Sequence, residues 1–315
     1  MAWDKIKRSR WVYLIFIMGA ASLAIRTLLD SRFGNTALLY VAIPFLISFL
    51  LFLFARTGAR RSFGSHLLDA TIVMLGSSAF LFEGFICVLF FFPIYIVFAA
   101  IGYAVFKGRE ERHKRGEKDH LKSSFIPIIV AIMAIEGTVP STSFERHKSV
   151  TRAFIIAADV ETIQANIAAP FVLPNKRSWF LSIFPLPTDT RAGSLGVGDI
   201  HEMDFVYKRW FFTNVKEGQM ALRIDGVSDR QITTTLVKNT SYLSTYLSFK
   251  NSEINFTPLD DGRTHVSLTM TYERHLDPAW YFGTLQHYAV AQMCDYFVDA
   301  VYARGLDYER VQHDG

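Results

Sequence analysis

The sequence predicts an all-α transmembrane bundle of five spans, followed by an α+β domain in which a curved antiparallel sheet wraps around a long C-terminal helix. Three observations predict it. The chain has 315 residues, half of them hydrophobic, and the long apolar runs lie before residue 140. The basic residues of that half gather in alternate loops between the runs. After Pro140 the runs give way to strand-length alternating segments and a single helical stripe.

A membrane span needs about 20 apolar residues to cross roughly 30 Å of hydrocarbon. The apolar stretches place spans at about 11–29, 37–55, 67–82, 85–106 and 123–139. The third and fourth come from one run, Leu67–Phe106, about 60 Å long if helical, folded into a hairpin at Glu83-Gly84. The leader carries Lys5, Lys7, Arg8 and Arg10, the second loop Arg56, Arg60 and Arg61, and the loop before the last span is strongly basic. With five spans all of these fall on one side, so the N-terminus is expected in the cytoplasm and everything after Val139 outside it. Ser22 and Ala24 also suit a cleavable signal peptide in place of the first span. Arg26, Asp69, Glu83 and Glu136 lie near span ends and are read as interfacial.

Residues 1–140 hold 16 Lys and Arg against 9 Asp and Glu, a net of +7; residues 141–315 hold 17 against 20, a net of −3. The overall pI near 9 therefore describes one half only. No nucleic-acid partner is expected, because no basic patch with interleaved aromatics occurs in the second half. Cys87 and Cys294 lie one in each half and form neither a disulfide framework nor a metal-binding pair.

The second domain, 141–315, opens with SVTRAFIIA (149–157), a β-branched alternating strand. Asp159 then caps a helix over VETIQANIAA. Strand-like runs follow: DIHEMDFVYKRWFF, QMALRIDGV, RQITTTLV, YLSTYLSFK, SEINFTPL and THVSLTMTYER, with Asp261-Gly262 as the turn of the last hairpin. With no helix between them they form an antiparallel meander. Asp277-Pro278 reads as an N-cap with Pro at the first position of a helix reaching about Arg304, with Phe282, Leu285, Ala289, Met293, Phe297 and Ala300 as its apolar stripe.

VTRAFIIAADVETIQANI, LGVGDIHEMDF, RTHVSLTMTYERHLDP and the terminal helix, in this order over about 147–305, resemble the START-like helix-grip superfamily that includes polyketide cyclases and coenzyme-Q-binding proteins. The resemblance implies an apolar cavity between sheet and final helix, with a hydrophobic small molecule or lipid as cargo. It carries over no catalytic set, since members of such a scaffold differ in chemistry.

His201, Glu202 and Asp204 are weighed as a metal or acid/base cluster and read as a strand face, because two carboxylates without a second His or Cys make a poor zinc site. His265, His275 and His287 are scattered over the pattern. LGVGD precedes a strand and reads as a turn, not a phosphate cradle. The proline-punctuated, aromatic segment 170–193 reads as a loop that could close over the cavity as a lid, with Lys176 and Arg177 beside its aromatics. The expected cavity lining and lid are Trp179, Phe180, Phe184, Phe282, Leu285, Ala289, Met293 and Phe297. No catalytic residue, metal or cofactor is expected.

The function expected is membrane-anchored binding of a lipid or other apolar small molecule, at the inner membrane of a bacterium with the second domain periplasmic. The expected partners are that ligand, the bilayer and a membrane protein. Two alternatives stay open. One is a non-catalytic accessory subunit of a membrane complex. The other is a cyclase- or dehydratase-like enzyme, which would need His287 with Tyr288 or Tyr296 inside the cavity.

Overall fold

The computed structural model describes residues 35–46, 62–80, 85–115, 125–170, 173–174, 176–184, 186–209 and 213–311. The chain divides into two compact units, one of Met1–Phe144 with Leu276–Tyr281, the other of Glu145–His275 with Phe282–Gly315.

In the first unit the described helices are α1 (Phe63–Phe80), α2 (Phe85–Lys114) and α3 (Phe125–Ala134), preceded by a helical stretch over 37–46 that is π-helical at Leu38–Ala42. The five-span transmembrane bundle expected over 11–29, 37–55, 67–82, 85–106 and 123–139 is corrected: among the described residues, no helix is long and apolar enough to cross a membrane. The 11–29 segment, most of 47–55 and the Glu83-Gly84 turn lie outside the described residues. The error came from counting apolar residues without element ends. The run expected to span at 123–139 supplies the ten residues of α3, about 15 Å of helix. On α2, Ile94, Tyr95, Phe98, Ala99 and Tyr103 are buried, so these side chains serve packing within the protein. A buried core helix and a span share that composition.

Glu136, expected at a membrane interface, is buried. Its Oε1 accepts from the Ala279 N–H at 2.8 Å, and its carbonyl accepts from the Ala37 N–H at 3.0 Å. Within the same unit the Asp277 N–H donates to the Asn35 carbonyl at 2.8 Å, and the Tyr281 hydroxyl to the Phe90 carbonyl at 2.7 Å. Asp277 is fully buried, and a π-helical turn starts after it at Ala279–Gly283.

Among the described residues the second unit holds eight strands, β1 (His147–Ile156), β2 (Pro187–Arg191), β3 (Ile200–Arg209), β4 (Thr213–Val227), β5 (Gln231–Asn239), β6 (Leu247–Pro258), β7 (Thr264–Arg274) and β8 (Tyr308–Val311). They form one sheet in the order β2-β3-β4-β5-β6-β7-β1-β8, with every recorded pair antiparallel. The meander β2 to β7 comes from short hairpins, and β1 returns to the outer side of β7 through the register Val150 to Met270 and Phe154 to Val266. Gly262 takes a φ of +80 in the β6–β7 turn, where the Leu259 N–H donates to the Arg263 carbonyl at 2.8 Å. Two runs expected as separate strands, YLSTYLSFK and SEINFTPL, are one 3-10 turn, Tyr242–Thr245, followed by the single strand β6. The edge strand β2 forms within the segment expected to be all loop; Pro187 is tolerated because it opens an edge strand.

α4 (Val160–Ala168) follows β1, with Asp159 Oδ1 accepting from the Thr162 N–H at 2.9 Å and holding Ile163 and Ile167 inward. α5 (Thr284–Phe297) continues through a π-helical turn, Val298–Tyr302. One apolar core joins α4 and α5 to one face of the sheet, through Val150, Phe154, Ile156, Ile232, Ile254, Phe256, Val266 and Leu268. A curved antiparallel sheet gripping its C-terminal helix is the helix-grip architecture.

Candidate functional site

β7 alternates strictly, with Thr264, Val266, Leu268, Met270, Tyr272 and Arg274 all inward. Its register carries this face across the sheet, from Leu268 to Ile254 and from Met270 to Ser252, then on to Thr234. Ser252 and Thr234 bond each other at 2.7 Å, which satisfies both hydroxyls inside an otherwise apolar face.

Opposite this face, α5 buries Gln286, Val290, Ala291 and Cys294. The expected stripe sits one step around the helix: Phe282 is buried, whereas Leu285, Ala289, Met293 and Phe297 are half-buried. Met293 and Phe297 pack against the core from its edge. The stripe therefore flanks the gripped face instead of forming its centre.

The loop expected to be a lid folds as a 3-10 turn, Leu181–Ile183. Phe180 is 5% exposed, and its aromatic neighbours include Trp179 at 6.0 Å, Phe184 at 5.8 Å, and Tyr288 of α5 at 5.1 Å with the rings at 75°. Such edge contacts are the favoured aromatic geometry. Trp179 is 77% exposed and presents its indole to solvent. The Tyr296 hydroxyl donates to the Pro174 carbonyl at 2.6 Å, tying the start of this segment to α5. So Trp179, Phe180 and Phe184 come together over Tyr288, and Phe180 joins them to the helix.

Three buried polar residues were not among the expected site residues: Tyr272 and Arg274 at the end of β7, and Gln286 in the first turn of α5. Tyr272 and Arg274 have no exposed surface, and Gln286 is 8% exposed. Gln286 Nε2 donates to the Tyr246 carbonyl at 3.0 Å, and the same carbonyl accepts from the His275 N–H at 3.1 Å. A Cβ at Gly283 would stand 3.7 Å from Arg274 Cδ, so the arginine stem runs beneath the first turn of α5. Burial pushes the Tyr272 phenol up to about 12, the Arg274 charge opposing, so the hydroxyl keeps its proton. A signal was present in the sequence: the inward phase of THVSLTMTYER ends on Tyr and Arg.

His201, Glu202 and Asp204 do not converge. The buried His201 ring meets the Ser194 carbonyl at 2.7 Å. Arg191 clamps the carboxylates, reaching Asp204 at 2.7 Å, Asp189 at 2.9 Å and Glu202 at 3.0 Å. Its hydrogen bond holds Asp204 below the usual carboxylate range. Among the described residues no group of three or more His, Cys, Asp or Glu could hold a metal ion. His287 is exposed, off the gripped face. Cys294 is free and buried, its thiol pushed up to about 12 chiefly by desolvation, so it acts as a small core side chain. Next to it, Asp295 pairs with Arg152 at 3.8 Å and with Arg310; burial raises its carboxyl above the ordinary range against both charges.

No family model matches the chain, and none of the curated proteins does. Solved structures that resemble it include norcoclaurine synthase from Thalictrum flavum, at 16% identity over 48% of this chain and 83% of that one, with a TM-score of 0.32. A START superfamily protein from Mycobacterium smegmatis matches at 14% identity over 49% and 94%, TM-score 0.31. A protein from Arthrobacter aurescens matches at 11% over 47% and 81%, TM-score 0.31. At these scores the likenesses carry no weight beyond their own record. The second unit is a helix-grip domain on its own strand order, gripped helix and continuous core.

Proposed function

We propose that the second unit binds a hydrophobic small molecule or lipid between the inward sheet face and α5, beneath the lid of Trp179, Phe180 and Phe184. The observation that carries this reading is the half-buried edge of α5. Leu285, Ala289, Met293 and Phe297 are apolar, yet sheet packing leaves them only partly covered, next to a lid held by one buried phenylalanine. Apolar surface half withdrawn from water gains from a ligand that completes its burial, about 25 cal/mol per Å2 covered. The arrangement matches ligand sites in general, a mostly apolar wall with few orienting polar groups.

Catalysis is not part of the proposal, because His287 is exposed and the carboxylates at 202 and 204 are clamped by Arg191. We further propose lipid handling at the extracytoplasmic face of an inner membrane. Its support is Trp179, exposed beside Lys176 and Arg177, the combination that settles at a bilayer interface.

The test is organic extraction of the purified full-length protein followed by mass spectrometry, with binding of a radiolabelled long-chain probe. A stoichiometric apolar ligand, or saturable probe binding lost on denaturation, is expected. An empty extract together with no saturable binding would overturn the reading.

A further inference from the structure

Five arginines described in the second unit are half-buried, and four of them have an acceptor from the chain itself. Arg146 donates to the Arg274 and His275 carbonyls at 3.1 and 3.2 Å, and Arg304 to the Pro170 carbonyl at 3.1 Å. Arg152 pairs with Asp295 at 3.8 Å, and Arg263 with Asp261 at 2.7 Å. The fifth is Arg177 of the lid segment, and among the described residues no carbonyl or carboxylate meets it. Burial works against its charge and lowers its pKa, the Tyr296 phenol opposing, yet a guanidinium keeps its proton. A charge drawn part of the way out of water without a partner is costly, so this one calls for a complement.

The attachments of the lid set where Arg177 lies. Three residues before it, the Pro174 carbonyl accepts from the Tyr296 hydroxyl at 2.6 Å. Three residues after it, Phe180 meets Tyr288 at 5.1 Å. Tyr288 and Tyr296 stand about 12 Å apart along α5, so the segment from 174 to 180 runs beside that stretch of helix with Arg177 midway in the chain. Arg177 and Tyr296 are close enough for each to feel the other's charge. On the same stretch, Ala289 and Met293 precede Tyr296 by steps of four and three, which puts them on its side of the helix, and both are half-buried. Arg177 therefore sits at the rim of the apolar α5 edge.

The local charge points the same way. From Pro170 to Thr188 the chain carries Lys176 and Arg177 and no Asp or Glu, although residues 141–315 as a whole hold 17 Lys and Arg against 20 Asp and Glu. The next carboxylate, Asp189, is taken by Arg191 at 2.9 Å. The acids near Tyr296 turn elsewhere, Asp295 to Arg152 and Arg310, Asp299 to the Tyr308 hydroxyl at 3.4 Å. A guanidinium fork pairs with the two oxygens of a carboxylate or phosphate, and a neutral head would leave its charge unmatched. Resting on the ligand-binding reading above, we infer that Arg177 anchors the head of that ligand, and that the ligand is an anionic amphiphile whose tail follows the α5 edge past Met293 and Ala289 beneath Phe180. The class is an apolar chain ending in one anionic oxygen group, a carboxylate or a phosphate monoester.

The experiment is competition against tritiated methyl laurate on the purified full-length protein, by unlabelled methyl laurate, laurate and dodecyl phosphate below their micelle concentrations. The ester keeps the tail and loses the charge. At least one of the two anions should compete roughly tenfold better than the ester, the size of one charge-assisted hydrogen bond, and the better of the two names the head. In Arg177→Gln that ratio should fall toward one with the ester's own affinity little changed, and Arg177→Lys should keep part of it. Lys176→Gln, altering an exposed neighbour, should leave most of it. Equal competition by ester and anions in the wild type overturns this inference and leaves apolar binding standing. A preference that survives Arg177→Gln overturns it as well, placing the head elsewhere; if that variant at the same time floats less with anionic phospholipid vesicles, the arginine serves the bilayer surface instead. No saturable binding of any compound removes the ligand-binding reading and this inference with it. Thermal melts accompany each variant, and if Arg177→Gln does not fold, Arg177→Lys and the wild-type ratio decide.

Discussion

Replacing Phe180 with alanine separates a lid from a piece of core. Phe180 is nearly as buried as the inner residues of β7, and its ring neighbours include Trp179 and Phe184 of its own segment and Tyr288 of α5. Phe→Ala at a core position costs about 3–5 kcal/mol. The lower end applies here, because the largely exposed Trp179 and half-buried Phe184 can collapse into part of the space. About 3 kcal/mol corresponds to roughly a hundredfold change in an opening equilibrium. If Phe180 is the staple of a lid, that loss falls on local opening. Amides over 178–184 should exchange hydrogen about a hundredfold faster, while those of β6 and β7 keep their protection. Bound apolar probe should dissociate faster by a similar factor. Hydrogen exchange read by mass spectrometry on the full chain distinguishes the cases. Protection lost evenly across β6, β7 and the loop would mean that Phe180 is ordinary core, and the lid would have to be abandoned.

Three further outcomes follow from single contacts. Gly218→Ala should destabilise the second unit by about 1–3 kcal/mol in urea unfolding, because its Cβ would stand 2.6 Å from Ser241 Cα and 2.7 Å from the Thr240 oxygen, both backbone; Gly193→Ala, with open space around it, should not. Burial raises the Asp295 carboxyl, so the folded chain holds that proton to higher pH than the unfolded one, and stability from this group declines as pH rises from roughly 3.9 through the raised value. The stability difference between wild type and Asp295→Asn should therefore fall with rising pH over that window; a difference that grows with pH refutes the assignment. Trp179→Ala should weaken flotation with anionic phospholipid vesicles several-fold with the melting temperature unchanged, and unaltered flotation would remove the indole from any membrane contact.

The second unit was legible because its signals are local. Alternation in THVSLTMTYER, the Asp159 cap and the Asp261-Gly262 turn each depend on a few neighbouring residues, and each recurs in the structure as β7, α4 and the β6–β7 hairpin. The first unit was misjudged because apolar length is not a local signal of environment. Tyr95 and Phe98 on α2 would look the same facing lipid or facing protein, and only their burial within the protein distinguishes the two. β2 and β8 were missed for a different reason. They are edge strands of five and four residues, defined by the partner they pair with more than by their own composition.

The candidate site was half legible, and the missing half has a geometric cause. Counting by threes and fours from Phe282 assumes an unbroken α-helix, but Ala279–Gly283 and Val298–Tyr302 are π-helical turns with more residues per turn. Extrapolation across such a turn rotates the inferred face, so the counted stripe landed on 285, 289, 293 and 297 while 286, 290 and 294 point into the grip. Gln286 was lost by that rotation, because a glutamine off the apolar stripe looks like solvent-facing surface. With the true face in place, the helix has an apolar edge at the lid and one polar residue, Gln286, at its buried beginning, tied to the Tyr246 carbonyl at 3.0 Å.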